Sequence, residues 1–418
     1  MRGALSGDGR VLGPARWSVR EGRTLSLEQD EPGEGERIAD VVLLPGLVNA
    51  HAHLDLGGAE PLDAAGSFPD WLLRVGGARK DGRDLEASAE AEARSLGERG
   101  VVDVGDIDAT GGHATRGRRE AGLPGRSYIE VVGVDRGTAR RRLAGAVALA
   151  DRLGGGAAGI GLSPHAPYSV DVRVVEEIGR ASACRRLPLA MHLAESVEES
   201  RYLEKGDGPF VSFLETIGRG APFAQAPGLR PIEYAERTGL LERGCLVIHG
   251  NDLSDDDIGR LARHGSAVVY CHGTHRHFDR PQHRWLDLRR AGVEVALGTD
   301  SGASNARVDL FAEIGRILED RPDVDPVEVL RAATLGGRRA LGRDEGSATF
   351  RRGSVADAVL VGPRVSEVDV SDPAGLVAWA FSGEVEPTLT LHRGRPIAGS
   401  DDERSASCAL LDTLTGHG

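Results

Sequence analysis

The sequence predicts an α/β protein: a (β/α)₈ TIM barrel carrying a small β-sandwich domain assembled from both termini. Three observations carry that expectation. Eight apolar runs of strand length alternate with helix-like segments, two β patches flank them, and histidines and carboxylates gather where the runs stop. Alternating strand and helix gives a parallel sheet with crossover helices. Eight such units over roughly 300 residues suit a closed barrel, whose usual size is about 250 residues plus insertions.

Taken in order, residues 1–44 read as short β segments broken by Gly, Pro and charge: Trp17 to Arg20, Thr24 to Leu27 and Ile38 to Leu44. The far end, Ala356 to Val361 and Leu389 to Ile397, reads the same way. Residues 1–44 with 350–400 are therefore expected to form the small β domain, residues 45–349 the barrel, and residues 401–418 a tail in which Ala409 to Leu414 suits a docking helix. The eight runs are Val42 to Val48, Val101 to Gly105, Tyr128 to Val132, Gly159 to Leu162, Leu189 to Leu193, Leu246 to Ile248, Ala267 to Tyr270 and Val293 to Leu297. A first helix begins near Phe68-Pro69-Asp70-Trp71. A second, Leu85 to Arg99, stops at Gly100, the residue type favoured just past a helix end. The long connection Ala194 to Gly244 carries apolar spacing at Phe210 to Leu214 and Ile232 to Leu241, which predicts helical insertion.

Composition narrows the function. A net charge of −13 argues against a nucleic-acid footprint and against attraction to anionic membranes. Cys184, Cys245, Cys271 and Cys408 are scattered without Cys-x-x-Cys spacing, no charged-then-apolar leader is present, and no apolar run approaches the ~20 residues of a membrane span. The expectation is a cytoplasmic protein with a small-molecule partner; a homodimer is compatible with it.

Chemistry concentrates at the strand ends. His51 and His53 close the first run, and side chains two apart on a strand point to one face. His165 follows run four in Ser163 to Tyr168. His192 closes run five with Glu195 three residues on; His249 closes run six; His272 and His275 follow run seven; Asp300 closes run eight ahead of Ser301. In a barrel of this kind catalytic groups sit at those carboxyl ends. His51, His53, His192 and Asp300 suit one divalent ion, Zn²⁺ or Fe²⁺, with a position left for water whose pKa falls to about 7. Glu195, beyond the histidine on the substrate side, suits acid–base work. Each residue alone has a plainer reading: His192 as a core histidine, Asp300 as a helix cap, Glu195 as a solvated helix start. Trp71 suits stacking on a heterocycle or a place in the core.

As an ordered set, Pro45 to His53, Ser163 to Tyr168, His192-Leu193-Ala194-Glu195-Ser196, His249-Gly250-Asn251 and Gly298 to Ser301 with Ala303-Ser304-Asn305 resemble the amidohydrolase superfamily. The similarity is to the mononuclear branch of cytosine, S-adenosylhomocysteine, aminodeoxyfutalosine and guanine deaminases and the triazine chlorohydrolases. It implies metal ligation by His51, His53, His192 and Asp300, proton transfer by Glu195, steering of water or leaving group by His249, and substrate contact by His165. Neither lysine, Lys80 or Lys205, lies at the end of strand four, so a lysine-bridged pair of metals is not expected. The chain departs from the branch after strand seven, where Cys271 to Phe278 replaces a Cys-Pro-x-Ser-Asn pattern and His275 stands in the asparagine's place. A rearranged loop and a substrate contact by His275 both fit.

The reading that follows is hydrolytic deamination of an amino-substituted heteroaromatic ring, a purine, purine nucleoside derivative or pyrimidine, with Asp300 and His249 handling the water's proton and Glu195 the ring nitrogen and the departing ammonia. Loss of halide or amide nitrogen from the same site, and a catalytically inactive binding protein on this scaffold, are the alternatives.

Overall fold

Parallel pairing dominates the computed structural model, which describes residues 1–30, 40–79, 82–217, 227–362 and 368–397. The strands are β1 (Gly3–Leu5), β2 (Val11–Leu12), β3 (Ala15–Arg20), β4 (Arg23–Gln29), β5 (Val42–Pro45), β6 (Leu47–Ala52), β7 (Val101–Asp108), β8 (Gly125–Val131), β9 (Ile160–Pro164), β10 (Ala190–Leu193), β11 (Leu246–His249), β12 (Ala267–Tyr270), β13 (Glu294–Leu297), β14 (Ala358–Gly362), β15 (Glu386–His392) and β16 (Arg395–Pro396). β6 to β9 form one four-stranded parallel sheet and β10 to β13 another. Single parallel bridges, Leu162 to Leu189 and Ala52 to Asp300, run between the two.

Seven of the eight expected runs map onto β7 to β13 within a few residues. The first does not map whole. Val42 to Val48, read as one strand, is two: β5 pairs with β1 and β14, and β6 opens the parallel sheet beside β7. Gly46 sits at the break, where a Cβ would fall 2.5 Å from both Val102 methyls. The backbone turns from one sheet into the other through a space that only glycine fits.

Both chain ends meet in a six-stranded sheet ordered β16-β15-β14-β5-β1-β2, with β3 and β4 as a separate antiparallel pair. Of the expected third segment, residues 38 and 39 lie outside the described residues, as does the tail from 398, including Cys408 and the docking segment 409–414; so does Lys80.

The helices follow from their caps. Phe68–Ala78 starts in a reciprocal Ser67/Asp70 capping box, and Leu85–Glu98 starts at Asp84, whose carboxylate accepts from Glu86 and Ala87 amides. The insertion after β10 is helical as expected: Val197–Lys205, Pro209–Thr216 and Pro231–Arg237. Val48, Ala50, Ile107, Tyr128, Ala190, Ile248, Val269 and Ala296 pack together from strands of both sheets, and each buried valine or isoleucine among them contributes roughly 1.5–3 kcal/mol. Among the described residues no helix is long and apolar enough to cross a membrane.

Candidate active site

Alternation along β6 places His51 and Asn49 on one side, and the chain carries His53 on beyond the strand. Asn49 ties this end to the end of β13: its amide donates to Thr299 Oγ1 at 2.8 Å and its Oδ1 accepts from Thr299 N at 3.2 Å. Asp300 is thereby brought opposite both histidines, with Oδ1 3.5 Å from His51 Nε2 and 3.7 Å from His53 Nε2. Its other oxygen accepts from the Thr274 and Ser304 hydroxyls, each at 3.1 Å. The His51 ring centroid lies 5.0 Å from that of His53, 5.2 Å from His192 and 5.5 Å from His249.

The donor chemistry suits a divalent cation. Ligand atoms of His51, His53 and Asp300 lie within 4.8 Å of one another, and so do those of His51, His192 and His249. Both ring nitrogens of His51 are buried without a hydrogen-bond partner, the environment a ligand requires when protein groups do not satisfy it. His192 Nδ1 donates to the His165 carbonyl at 3.1 Å, which leaves Nε2 with its lone pair free. His53 is arranged the other way: Arg79 Nη2 stands 3.1 Å from its Nδ1 while also holding Asp55. A cation held by His53 Nε2 would need the ring proton on Nδ1, the atom that Arg79 Nη2 faces. Burial, then neighbouring imidazoles, holds His53 and His192 well below the usual histidine range, in the neutral form that binds metal.

One cavity collects these groups. His53, His165, His192, Glu195, His249, Asp300, Ser301, Trp71, Leu72, Val75, Leu56 and Arg79 line it. Glu195 Oε1 lies 3.6 Å from His249 Nε2. Burial pushes the Glu195 carboxyl well above its usual range and lowers His249 to about 3, which favours the protonated acid on one and the neutral imidazole on the other. Asp300 is held low: burial opposes this, but the neighbouring imidazoles of His51, His249 and His53 outweigh it. His165 Nε2 is 4.0 Å from Glu130 Oε1. Trp71 packs in an aromatic group with Phe68 and Phe278.

Of the sequence-derived site residues, His275 alone is neither on the cavity nor in the cation cluster. It is buried, with Nδ1 3.2 Å from Asn251 Oδ1. His272 is engaged by the Tyr270 hydroxyl and Asp320. Sequence reasoning missed Arg79, which lies in a Gly-rich polar stretch without a motif. It also missed Glu199, whose carboxylate accepts from the Ala194 and Glu195 amides at 3.2 and 2.8 Å; Ser196 three residues before Glu199, at the start of the helix, was the available signal.

Buried imidazoles and a carboxylate at the ends of parallel strands define a metal-assisted hydrolase. The pattern of the amidohydrolase family matches residues 42–395, and the chain belongs to that family. It is 31% identical over 357 residues, 81% of this chain and 83% of the relative, to an aminodeoxyfutalosine deaminase of Deinococcus radiodurans. It is 28% identical over 359 residues, 80% of this chain and 77% of the relative, to a 5-methylthioadenosine/S-adenosylhomocysteine deaminase of Natronomonas pharaonis. Among solved structures it is similar to a zinc-bound adenosine deaminase from Xanthomonas campestris, with a TM-score of 0.73 at 22% identity over 100% of this chain and 97% of that one. A guanine deaminase from C. acetobutylicum with bound guanine gives 0.75 at 14% over 95% and 98%. The last two likenesses concern the fold.

Proposed function

We propose that the chain hydrolyses an amino-substituted heteroaromatic ring, a purine, purine nucleoside derivative or pyrimidine, in the cytoplasm, replacing the exocyclic amine with oxygen and releasing ammonia. The observation that carries this reading is the Glu195–His249 pair, 3.6 Å apart on the cavity wall beside Asp300. A buried carboxyl and an imidazole this close can give and take a proton in turn, which is what addition of water to a C=N bond and departure of an amine require. Family membership and the deaminases among the similar proteins support it.

His51, His53, His192 and Asp300 would hold one divalent ion, zinc by the nitrogen and oxygen donor set, with His249 within reach of the same point. Such an ion supplies Lewis-acid activation of the attacking water. The chain's own groups handle the protons. Asp300, with His249 beside it, accepts a proton as water adds to the ring carbon. Glu195 delivers its proton to the adjacent ring nitrogen, and a proton returned to the amine lets the C–N bond break with ammonia as the leaving group. Trp71 and His165 flank the ring, and Ser301 contacts it from the end of β13.

We infer further that the two parallel sheets close into one (β/α)₈ barrel, supported by the two bridges between them, and that residues 1–44 with 350–400 act as a small β domain, supported by the shared six-stranded sheet. A panel of aminopurines, their nucleosides, aminopyrimidines and chlorotriazines, assayed in parallel for ammonia and chloride, tests the activity. Ammonia from at least one amine is expected; chloride alone would replace the reading with dehalogenation.

A further inference from the structure

The segment after β12 carries two buried histidines, His275 and His283, that do not reach the cavity. One bonds directly to a cavity residue and the other is linked to one through Asn251. His283 Nε2 lies 3.1 Å from the His249 carbonyl. His275 Nδ1 lies 3.2 Å from Asn251 Oδ1, and Asn251 Nδ2 donates to the Glu195 carbonyl at 3.1 Å.

The directions of these bonds are fixed by elementary chemistry. A carbonyl oxygen only accepts, so Asn251 turns its NH₂ to Glu195 and its oxygen to His275, which then carries its proton on Nδ1. By the same argument His283 carries its proton on Nε2. Burial lowers His275 to about 4 and His283 to about 3, so each is neutral with a single N–H to give. Tyr270 stands between them: its ring centroid is 4.3 Å from that of His283 and 5.5 Å from that of His275. Its hydroxyl is held by His272, which is in turn held by Asp320.

What these bonds hold is strained backbone. His249 has φ 74° and Ala194, whose carbonyl carbon is bonded to Glu195 N, has φ 53°, both in the left-handed region that non-glycine residues avoid. Such conformations persist only where surrounding contacts impose them.

We infer that His275 and His283 are positioning residues: resting on Tyr270, they hold through Asn251 and directly the two carbonyls that fix the separation of Glu195 and His249. This rests on the proposed proton-handling roles of that pair. Neither histidine touches substrate, which distinguishes the role from the substrate contact expected of His275.

The test pairs disruptive with conservative substitutions, because asparagine reproduces a donor at Nδ1 and glutamine one at Nε2. His275→Leu and His283→Leu are expected to lose on the order of 10- to 100-fold in kcat with KM and zinc content near wild type, and His275→Asn and His283→Gln to recover most of it. Wild-type kcat in the leucine variants, or conservative variants as poor as the leucine ones, overturns the inference; melting temperatures of all four identify any loss that is merely unfolding. A readout independent of turnover is the ring protonation of ¹⁵N-histidine-labelled protein: Nδ1–H at His275 and Nε2–H at His283 are expected. A proton on His275 Nε2 instead contradicts it. If no amine is turned over, the deaminase reading fails while the protonation states still decide whether the two histidines hold these carbonyls.

Discussion

His249 Nε2 stands 3.6 Å from Glu195 Oε1 although the two residues lie on different strand ends, β11 and just past β10. The approach depends on backbone geometry more than on side-chain reach. β10 and β11 pair in register, Leu193 opposite His249, and the amides of Gly250, Asn251 and Asp252 then bond to the Leu193 and Ala194 carbonyls at 3.1, 2.8 and 2.9 Å. The two loops are laced together before either side chain enters the cavity.

His192→Ala removes an imidazole whose Nε2 is free to bind metal. Zinc stoichiometry of the purified variant, measured by elemental analysis, is expected to fall well below one per chain while wild type holds about one. Full occupancy in the variant would place the ligand set elsewhere, with His249 the first alternative because it shares a cluster with His51.

Glu92 gives a pH dependence away from the site. Burial lifts its carboxyl from 4.5 to about 7, against the opposing Gly58 amide and Arg99 charge. The folded chain therefore binds this proton more tightly than the unfolded one, and the group's contribution to stability declines as pH rises from about 4.5 to 7. Glu92→Gln removes that decline. Its melting temperature relative to wild type should climb by a few degrees between pH 4.5 and pH 7.5, and an offset that does not change with pH would show the carboxyl to be unperturbed.

Asp357 joins the terminal sheet to the helix after the parallel strands. One oxygen takes Arg338 Nη2 at 2.8 Å, the other His392 Nδ1 at 2.8 Å and Arg393 N at 3.1 Å, with Arg338 and Asp357 both buried. Asp357→Ala strands the Arg338 charge, a loss of roughly 3–5 kcal/mol. Thermal unfolding should shift down by several degrees; a midpoint within a degree of wild type would mean the arginine finds water or another acceptor.

The strands and the cation cluster were legible because they depend on local pattern. Runs such as Ala267 to Tyr270 and Leu246 to Ile248 are apolar because both faces of a parallel strand are covered, and the histidines and Asp300 follow such runs closely in sequence. Gly46 hid a boundary: the apolar run passes through it without interruption, and only the approach of Val102 explains why two strands meet there. Arg79 and His283, and the bonds that Asn251 makes, were not legible. Their roles arise from contacts with His53, Glu195 and His249 across loops distant in sequence, and no spacing rule connects an arginine after a Gly-Gly pair to a histidine 26 residues earlier. His275 was singled out for its unusual place, yet its neighbour is Asn251.

The most direct measurement is ammonia release by Glu195→Gln alongside its zinc content. Glutamine keeps the shape and replaces a buried carboxyl that can give and take a proton with an amide that cannot. We expect zinc near wild type and turnover reduced by about 10²- to 10⁴-fold, the usual worth of a positioned acid–base group. Turnover equal to wild type in the zinc-loaded variant would contradict the account and remove Glu195 from the chemistry.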